Sequence, residues 1–263
     1  MRLFVELATR AFKRALRYRA AALAGLATNF FFGLLNASIL VALLGERSNV
    51  AGFDAQGVIT YTGVSQALIA YLSMFGSYEL MTSVYTGEVA SDLLKPMHLL
   101  RYYLAQDFGH ACAQFLLRGI TIMAIYELMF DMVYPQGVFA WLALLVALLF
   151  AWGISFVWRF LVNLSSFWSP NAKGFGRLAF LSATFFSGML MPLDFFPDWV
   201  QRICYFTPFP SMLYTVSSIY LNRITPEQML QALVMQVVWI FVLVGVCQWV
   251  LTRGVRRLVI VGG

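Results

Sequence analysis

The sequence predicts an all-α membrane protein with six transmembrane helices. Of its 263 residues, 61% are hydrophobic and 11% are charged, whereas soluble domains average roughly 45–50% and about 25%. The apolar residues form continuous runs and do not alternate as in the strands of a membrane barrel. A spanning helix needs about 20 apolar residues, since its backbone must satisfy its own hydrogen bonds in lipid. Several such runs predict several spans within one domain, residues 1–263.

The first predicted element is an amphipathic helix over residues 1–19. Its apolar face consists of Leu3, Phe4, Leu7, Ala11, Phe12, Ala15 and Leu16, and its basic face of Arg2, Arg10, Lys13, Arg14 and Arg17. A helix with this pattern lies at the membrane interface, where its basic face contacts anionic lipid. The alternative interpretation is a basic flank that only orients the next span.

The six spans are predicted at residues 20–44, 58–84, 109–130, 138–167, 178–193 and 229–251. The first span follows basic residues, as the apolar core of a signal peptide does. Its uncharged run covers 25 positions, however, and a signal core has roughly 7–15, so we expect this span to be retained. Arg118 and Glu127 interrupt the third span.

Lysine and arginine residues in the connections predict the orientation of the spans. Thirteen of them fall on the side of both termini, and three, Arg47, Arg202 and Arg223, fall on the opposite side. Because short cytoplasmic connections retain basic residues, both termini are expected in the cytoplasm. Basic residues at span ends suit lipid phosphate, so nucleic acid is not expected as a partner.

Residues 87–108 form a polar interruption between the second and third spans, and they begin with GEVASDLLKPM. Residues 88–94 suit a short helix in which Val89, Leu93 and Leu94 share a face. Pro96 ends this helix, because proline disfavours the helical conformation in the preceding residue. A kinked segment with an apolar face can bind another protein. The alternative is an ordinary connection that rests on lipid headgroups.

Residues 194–222, between the fifth and sixth spans, are too apolar for a solvated loop. Prolines divide the region, and Asp198 before Trp199 marks the start of a short helix. We therefore predict re-entrant helices that dip into the outer leaflet. An aromatic belt that anchors the protein at the interface is the alternative explanation for the aromatic residues here.

Four ionisable residues, Glu79, Arg118, Glu127 and Arg159, fall inside or near predicted spans. Such a group costs about 2.5–3.5 kcal/mol at the centre of a spanning helix. All four lie towards span ends, which favours snorkelling or pairing over an ion relay. Glu79 is the candidate partner of Arg118.

Enzyme and metal motifs are missing from the sequence. Cys112, Cys204 and Cys247 lack ligand spacing, and His98 and His110 have no partner array. The sequence has no GxSxG, no HExxH and no Gly-Lys pair, so it has no phosphate loop of the GxxxxGK type. We predict no catalytic residue, no metal site and no directly bound cofactor. Any ATP would be bound by another chain.

The order of these features resembles the permease subunits of bacterial type-2 ATP-binding-cassette exporters over essentially the full chain. The residues that carry the resemblance are GEVASDLLKPM after the second span and SGMLMPLDFFPDWVQRICYFTPFPSMLY before the sixth. The resemblance implies a multi-pass subunit of the bacterial inner membrane that is not itself an enzyme. Its partners would be a cytoplasmic ATPase dimer, which binds ATP and Mg, a second permease, identical or homologous, and membrane lipids.

The resemblance also implies roles for individual residues. The coupling helix that contacts the ATPase would include Gly87, Glu88, Leu93, Leu94, Lys95 and Pro96, and the outer re-entrant helices would include Pro192, Pro197, Trp199, Pro208 and Pro210. The substrate path would be lined by Phe31, Phe75, Phe186 and Met189. These side chains suit an amphiphilic, drug-like or lipid-like substrate, although helix packing also explains them. The alternatives in function are an ATP-independent transporter or channel, and a membrane-anchored assembly protein.

Overall fold

The structure, a computed structural model, describes residues 2–169 and 172–256, except for the side chain of Arg19. Within those ranges the α-helices are α1 (Arg2–Arg17), α2 (Arg19–Leu44), α3 (Ala55–Leu72), α4 (Glu79–Thr86), α5 (Val89–Leu93), α6 (Leu99–Gln114), α7 (Ile120–Met129), α8 (Gly137–Asn163), α9 (Lys173–Phe186), α10 (Asp198–Tyr205), α11 (Tyr214–Tyr220) and α12 (Pro226–Val255). A π-helical turn joins α6 to α7, and the described residues form no strand. The predicted all-α class is confirmed. Arg257, which the charge count includes, lies outside the described residues.

Four helices in the described residues are long and apolar enough to cross a membrane. They are Ala20–Leu44, Leu99–Met129, Gly137–Phe167 and Pro226–Val255. They correspond to the first, third, fourth and sixth predicted spans. A hydropathy pattern of this kind identifies a multi-pass membrane protein.

The second predicted span, residues 58–84, is two helices and not one. Helix α3 ends at Leu72, and Ser73 and Gly76 then adopt positive φ angles of 50° and 85°. A right-handed helix cannot continue through such residues. At Gly76 a side chain would overlap the ring of Phe180, so the break needs glycine both for its φ angle and for space.

Helix α3 lies at the centre of the bundle. Every residue from Thr60 to Leu72 is buried, so this helix presents no broad face to lipid. Its polar side chains bond within the protein: Tyr61 Oη donates to Gly188 O at 2.6 Å, and Thr60 Oγ1 accepts from Val133 N at 3.0 Å. Burial among other helices allows α3 to keep these polar side chains away from lipid.

The third predicted span begins earlier than the predicted residue 109. Helix α6, the π-helical turn and α7 form one unit, Leu99–Met129, which includes residues 99–108 of the predicted polar interruption. Helix α1 packs along α6, and at Gly109 the two backbones touch at Ala8. The predicted amphipathic helix is therefore present, but part of its apolar face packs on protein and not on lipid.

The fifth predicted span, residues 178–193, is shifted and short. Helix α9 ends at Phe186, and Gly188 adopts a φ of 83°. Its fourteen residues cover about 21 Å at 1.5 Å per residue, less than the roughly 30 Å of a hydrocarbon core. The predicted outer segment that follows contains the short helices α10 and α11.

The connections between helices gather at two ends of the molecule. At the far end, as we call it, Asn222 Nδ2 donates to Tyr134 O and Arg223 Nη1 donates to Gly52 O, both at 2.6 Å. These bonds join the connections that follow α2, α7 and α11. At the other end, which we call the basic end, residues 93–99 and the last turn of α12 line one groove. This grouping agrees with the charge pattern, which predicts that the connections lie alternately on the two sides of the membrane.

Candidate functional site

The first part of the candidate coupling segment, residues 87–98 of the predicted 87–108, lies at the basic end. After α4, Gly87 adopts a φ of 79° and turns the chain into the single helical turn α5. Val89 is buried, whereas Leu94 is 87% exposed and Leu93 is also exposed. The predicted shared apolar face is therefore wrong for Leu94, because Val89 packs inwards, Leu93 lines the groove beside the last turn of α12, and Leu94 points away from the bundle. The segment ends in an exposed apolar tip.

Asp92 holds this segment together. Its Oδ1 accepts from Lys95 Nζ at 2.6 Å, and its Oδ2 accepts from Tyr103 Oη at 2.7 Å and from Ser83 Oγ at 3.1 Å. Burial acts to raise the pKa of Asp92, but the hydrogen bonds from Lys95 and Tyr103 outweigh it and hold the pKa below its usual range. The carboxylate is ionised at neutral pH and ties α4, α5 and α6 into one unit.

Asp92 was not among the residues predicted from the sequence, and Lys95 was predicted to contact the ATPase subunit. The Lys95 ammonium also lies 3.8 Å from the centre of the Tyr102 ring, so its charge is used within the protein. The spacing of Asp92 and Lys95, three residues apart in a helical segment, was the available signal. Lys95 and Pro96 line a groove of about 690 Å³ together with Leu251 and Arg256 at the end of α12.

A buried ion pair lies behind the coupling segment. Arg159 Nη1 and Nη2 donate to the two carboxylate oxygens of Asp107 at 2.7 and 2.9 Å. Trp152 Nε1 donates to the same carboxylate at 2.8 Å. The Arg159 side chain is 4% exposed, and the two-pronged geometry is the strongest form of such a pair. Sequence analysis did not single out Asp107.

Three polar side chains on one face of α8, Ser155, Arg159 and Asn163, hold the break between α3 and α4. Ser155 Oγ donates to Leu72 O at 2.5 Å, and Asn163 Nδ2 donates to Ser77 O at 2.7 Å. Residues four apart lie on one side of a helix, so these bonds form a ladder. Backbone groups that the break leaves without helical partners are satisfied in this way.

Comparison with known proteins now decides the family. The sequence profile described as "ABC-2 family transporter protein" matches residues 30–262. The chain belongs to the ABC-2 transporter family. No curated protein sequence matches it. The resemblance to a type-2 permease is confirmed.

In this ABC-2 protein, Arg118 does not pair with Glu79. Its Nη2 donates to Gly25 O at 3.0 Å and to Asn29 Oδ1 at 2.9 Å, both on α2. Glu79 is exposed in the first turn of α4, where a carboxylate interacts favourably with the helix dipole. The pairing hypothesis is wrong because Arg118 bonds to α2, whereas Glu79 lies at the exposed start of α4.

The predicted outer segment contributes to a second polar cluster at the far end. Asp194 accepts from Tyr214 Oη at 2.8 Å and lies 3.5 Å from the Arg223 guanidinium, which covers the Phe53 ring at 3.6 Å. Of the predicted outer residues, Pro192, Pro208 and Pro210 are buried, and Pro197 and Trp199 are exposed. Prolines in the core of this region shape the backbone, whereas Trp199 faces outwards.

The four residues predicted for the substrate path of the ABC-2 protein divide into two pairs. Phe31 and Phe75 are exposed, Met189 is buried, and Phe186 stacks on Phe209 in the core. A single chain therefore does not gather them into one lining. Sequence analysis missed an apolar cavity of about 330 Å³ between α3, the π-helical turn, α8 and α11, which includes Phe115, Gly119 and Leu148.

Proposed function

We propose that this ABC-2 protein is the membrane-spanning permease of an ATP-driven exporter, with ATP hydrolysed by a separate subunit. The observation that carries the proposal is the exposed tip at Leu94. A leucine that is 87% exposed, on a segment fixed by an ionised carboxylate, has the character of a protein contact. The tip inserts into a groove on the ATPase, and Leu93 and Pro96 border the contact.

The hydrogen bonds described above support a route for the movement. Because Asp92 bonds to Ser83, Lys95 and Tyr103, a push on α5 moves α4 and the start of α6 together. The ladder on α8 then links this unit to the break after α3. ATP closure must favour one arrangement of the permease by a differential interaction free energy, as in any two-state switch.

The complete transporter comprises two permeases, identical or homologous, and a cytoplasmic ATPase dimer that carries ATP and Mg. Both permease termini face the cytoplasm of a bacterium, because the basic end holds the excess of lysine and arginine. The apolar cavity beside the π-helical turn supports an amphiphilic, drug-like or lipid-like substrate. An apolar lining of this kind binds hydrocarbon.

The test is the substitution Leu94→Asp in the permease co-expressed with its ATPase subunit. We expect the variant to insert and remain folded, but to lose co-purification of the ATPase and ATP-dependent transport, because a charge replaces the apolar tip. The matched control is Phe206→Asp, which changes an equally exposed residue, 84% exposed, at the far end. Unchanged ATPase binding and transport in Leu94→Asp would contradict the proposal.

The alternative of an ATP-independent transporter or channel predicts a different result. The purified chain alone, in liposomes loaded with a fluorescent amphiphile, would release that probe without ATP or ATPase. On the proposed function, we expect release only when both the ATPase and ATP are present.

A further inference from the structure

Arg118 occupies an unusual position in the bundle. It belongs to the π-helical turn Phe115–Gly119, inside the continuous helix Leu99–Met129. A π-helical turn is a rare deformation that occurs often at functional sites. The Arg118 guanidinium lies directly against α2 at Gly25, where a Cβ atom would come within 2.7 Å of Arg118 Cζ. The absence of a side chain at Gly25 therefore makes room for the guanidinium.

The protein prepares this place with neutral oxygens only. Asn29 is buried, and its Nδ2 donates to Gln66 O at 3.2 Å. This bond orients the amide so that Oδ1 accepts from Arg118 Nη2 at 2.9 Å, beside Gly25 O at 3.0 Å. The guanidinium is thus positioned by two acceptors that carry no net charge.

No carboxylate in the described residues forms an ion pair with Arg118. The salt bridges found there join Arg10 to Glu6, Lys95 to Asp92, Arg159 to Asp107 and Arg223 to Asp194. Within the same ranges, Arg118 Nε is buried without a hydrogen-bond partner, and Nη1 makes no hydrogen bond but is not enclosed. The charge and the Nη1 donors therefore remain available to a ligand.

The depth of Arg118 follows from its contact with α2. Gly25 comes six residues after α2 begins at Arg19, which corresponds to about 9 Å along the helix axis. Residues 20–44 of α2 carry no charge. A cation at this depth lies below the lipid headgroups, where an uncompensated charge is costly. An anion that reaches it must come from a molecule that enters the bilayer.

We propose that Arg118 binds the anionic head, phosphate or carboxylate, of an amphiphile in the cytoplasmic leaflet. Arginine suits this chemistry because its planar donors match both oxyanions. The amphiphile is either a resident anionic phospholipid or the transported substrate. The leaflet assignment rests on the orientation given under the proposed function, and in the second case the inference also defines the exporter's substrate class.

The test compares purified wild-type protein with Arg118→Gln and Arg118→Lys by native mass spectrometry, with added phosphatidylglycerol or phosphatidylcholine. Arg101→Gln is the matched control, since Arg101 is an exposed arginine on the same helical unit. We expect wild type and the control to retain phosphatidylglycerol at least tenfold more than phosphatidylcholine. Arg118→Gln should lose this preference, and Arg118→Lys should keep part of it. An equal preference in wild type and Arg118→Gln would overturn the proposal.

A measurement on the wild type alone keeps the test valid if the Gln variant does not fold. Dodecyl phosphate should displace bound phosphatidylglycerol, and dodecylphosphocholine, which has the same chain but no net charge, should not. Equal displacement by both would also overturn the proposal. A further measurement, with the ATPase present, distinguishes the two sources of the anion. If dodecyl phosphate raises the rate of ATP hydrolysis and Arg118→Gln abolishes that increase, the anion belongs to the substrate. If phosphatidylglycerol is retained but dodecyl phosphate does not raise the rate, the anion belongs to a resident lipid. Lipid binding needs no ATPase, so failure of the proposed function leaves this result interpretable.

Discussion

The regions around Arg159 and Arg118 show two ways in which one protein places an arginine between helices. Arg159 binds both oxygens of Asp107 and is closed off by Ser155 and Trp152. Arg118 binds only the neutral oxygens of α2. The first charge has its counter-ion within the chain, so its region is complete as folded. The second charge has no counter-ion in the described residues, and on our proposal a bound anionic amphiphile supplies it.

This difference separates an arginine that stabilises the fold from one that we propose binds a ligand. The Arg159 region connects α6, α8 and the break after α3, and the cavity beside it has a volume of about 20 Å³. A cavity of that size holds about one water molecule. The Arg118 guanidinium donates hydrogen bonds to α2 alone, and its Nη1 makes no hydrogen bond in the described residues. Four single substitutions test the contrast.

The largest effect is expected for Asp107→Asn. Removal of one partner leaves Arg159 buried without a counter-ion, which costs about 3–5 kcal/mol in a buried pair. We expect a large loss in the free energy of unfolding, measured by denaturant titration of the purified protein in detergent. Replacing both partners, as in Asp107→Leu with Arg159→Met, should restore part of the stability. If Asp107→Asn were as stable as the wild type, the ion pair would not be what stabilises the Arg159 region.

An intermediate effect separates the two arginines directly. Arg159→Gln leaves Asp107 buried and unpaired, and should again cost about 3–5 kcal/mol. Arg118→Gln removes hydrogen bonds to neutral acceptors and should cost about 1 kcal/mol. The same unfolding titration measures both variants, and a greater loss in Arg118→Gln would reverse the comparison.

The smallest effect on stability is expected for Gly25→Ala. The new Cβ displaces the Arg118 guanidinium, whose flexible side chain can move, while alanine favours the helix by about 0.5–1 kcal/mol. We expect the free energy of unfolding to change by less than about 1 kcal/mol, since lost hydrogen bonds offset that gain. Phosphatidylglycerol retention should nevertheless fall. Gly33→Ala does not serve as a control, because Gly33 contacts Tyr126. Gly245→Ala does, since a Cβ there meets open space.

Sequence patterns located the helices that face lipid. The long apolar runs of α2, α8 and α12 exceed the length of a bilayer core, so the predicted spans fall within the observed helices. The same patterns failed for α3 and α9. Helix α3 is surrounded by protein and tolerates polar residues, and its end at Ser73 depends on positive φ angles and on the approach of Phe180 to Gly76.

The candidate site divides in the same way. The amphipathic helix, the coupling segment and the family follow from the sequence, because periodicity, a proline break and ordered motifs are local signals. Only the tertiary structure decided that Leu94 is the exposed tip, that Asp92 binds Tyr103, that Asp107 neutralises Arg159 and that Arg118 lies on Gly25. These facts depend on which faces of separate helices meet. Depth along a span can be counted in residues, but direction around the helix bundle is set by packing.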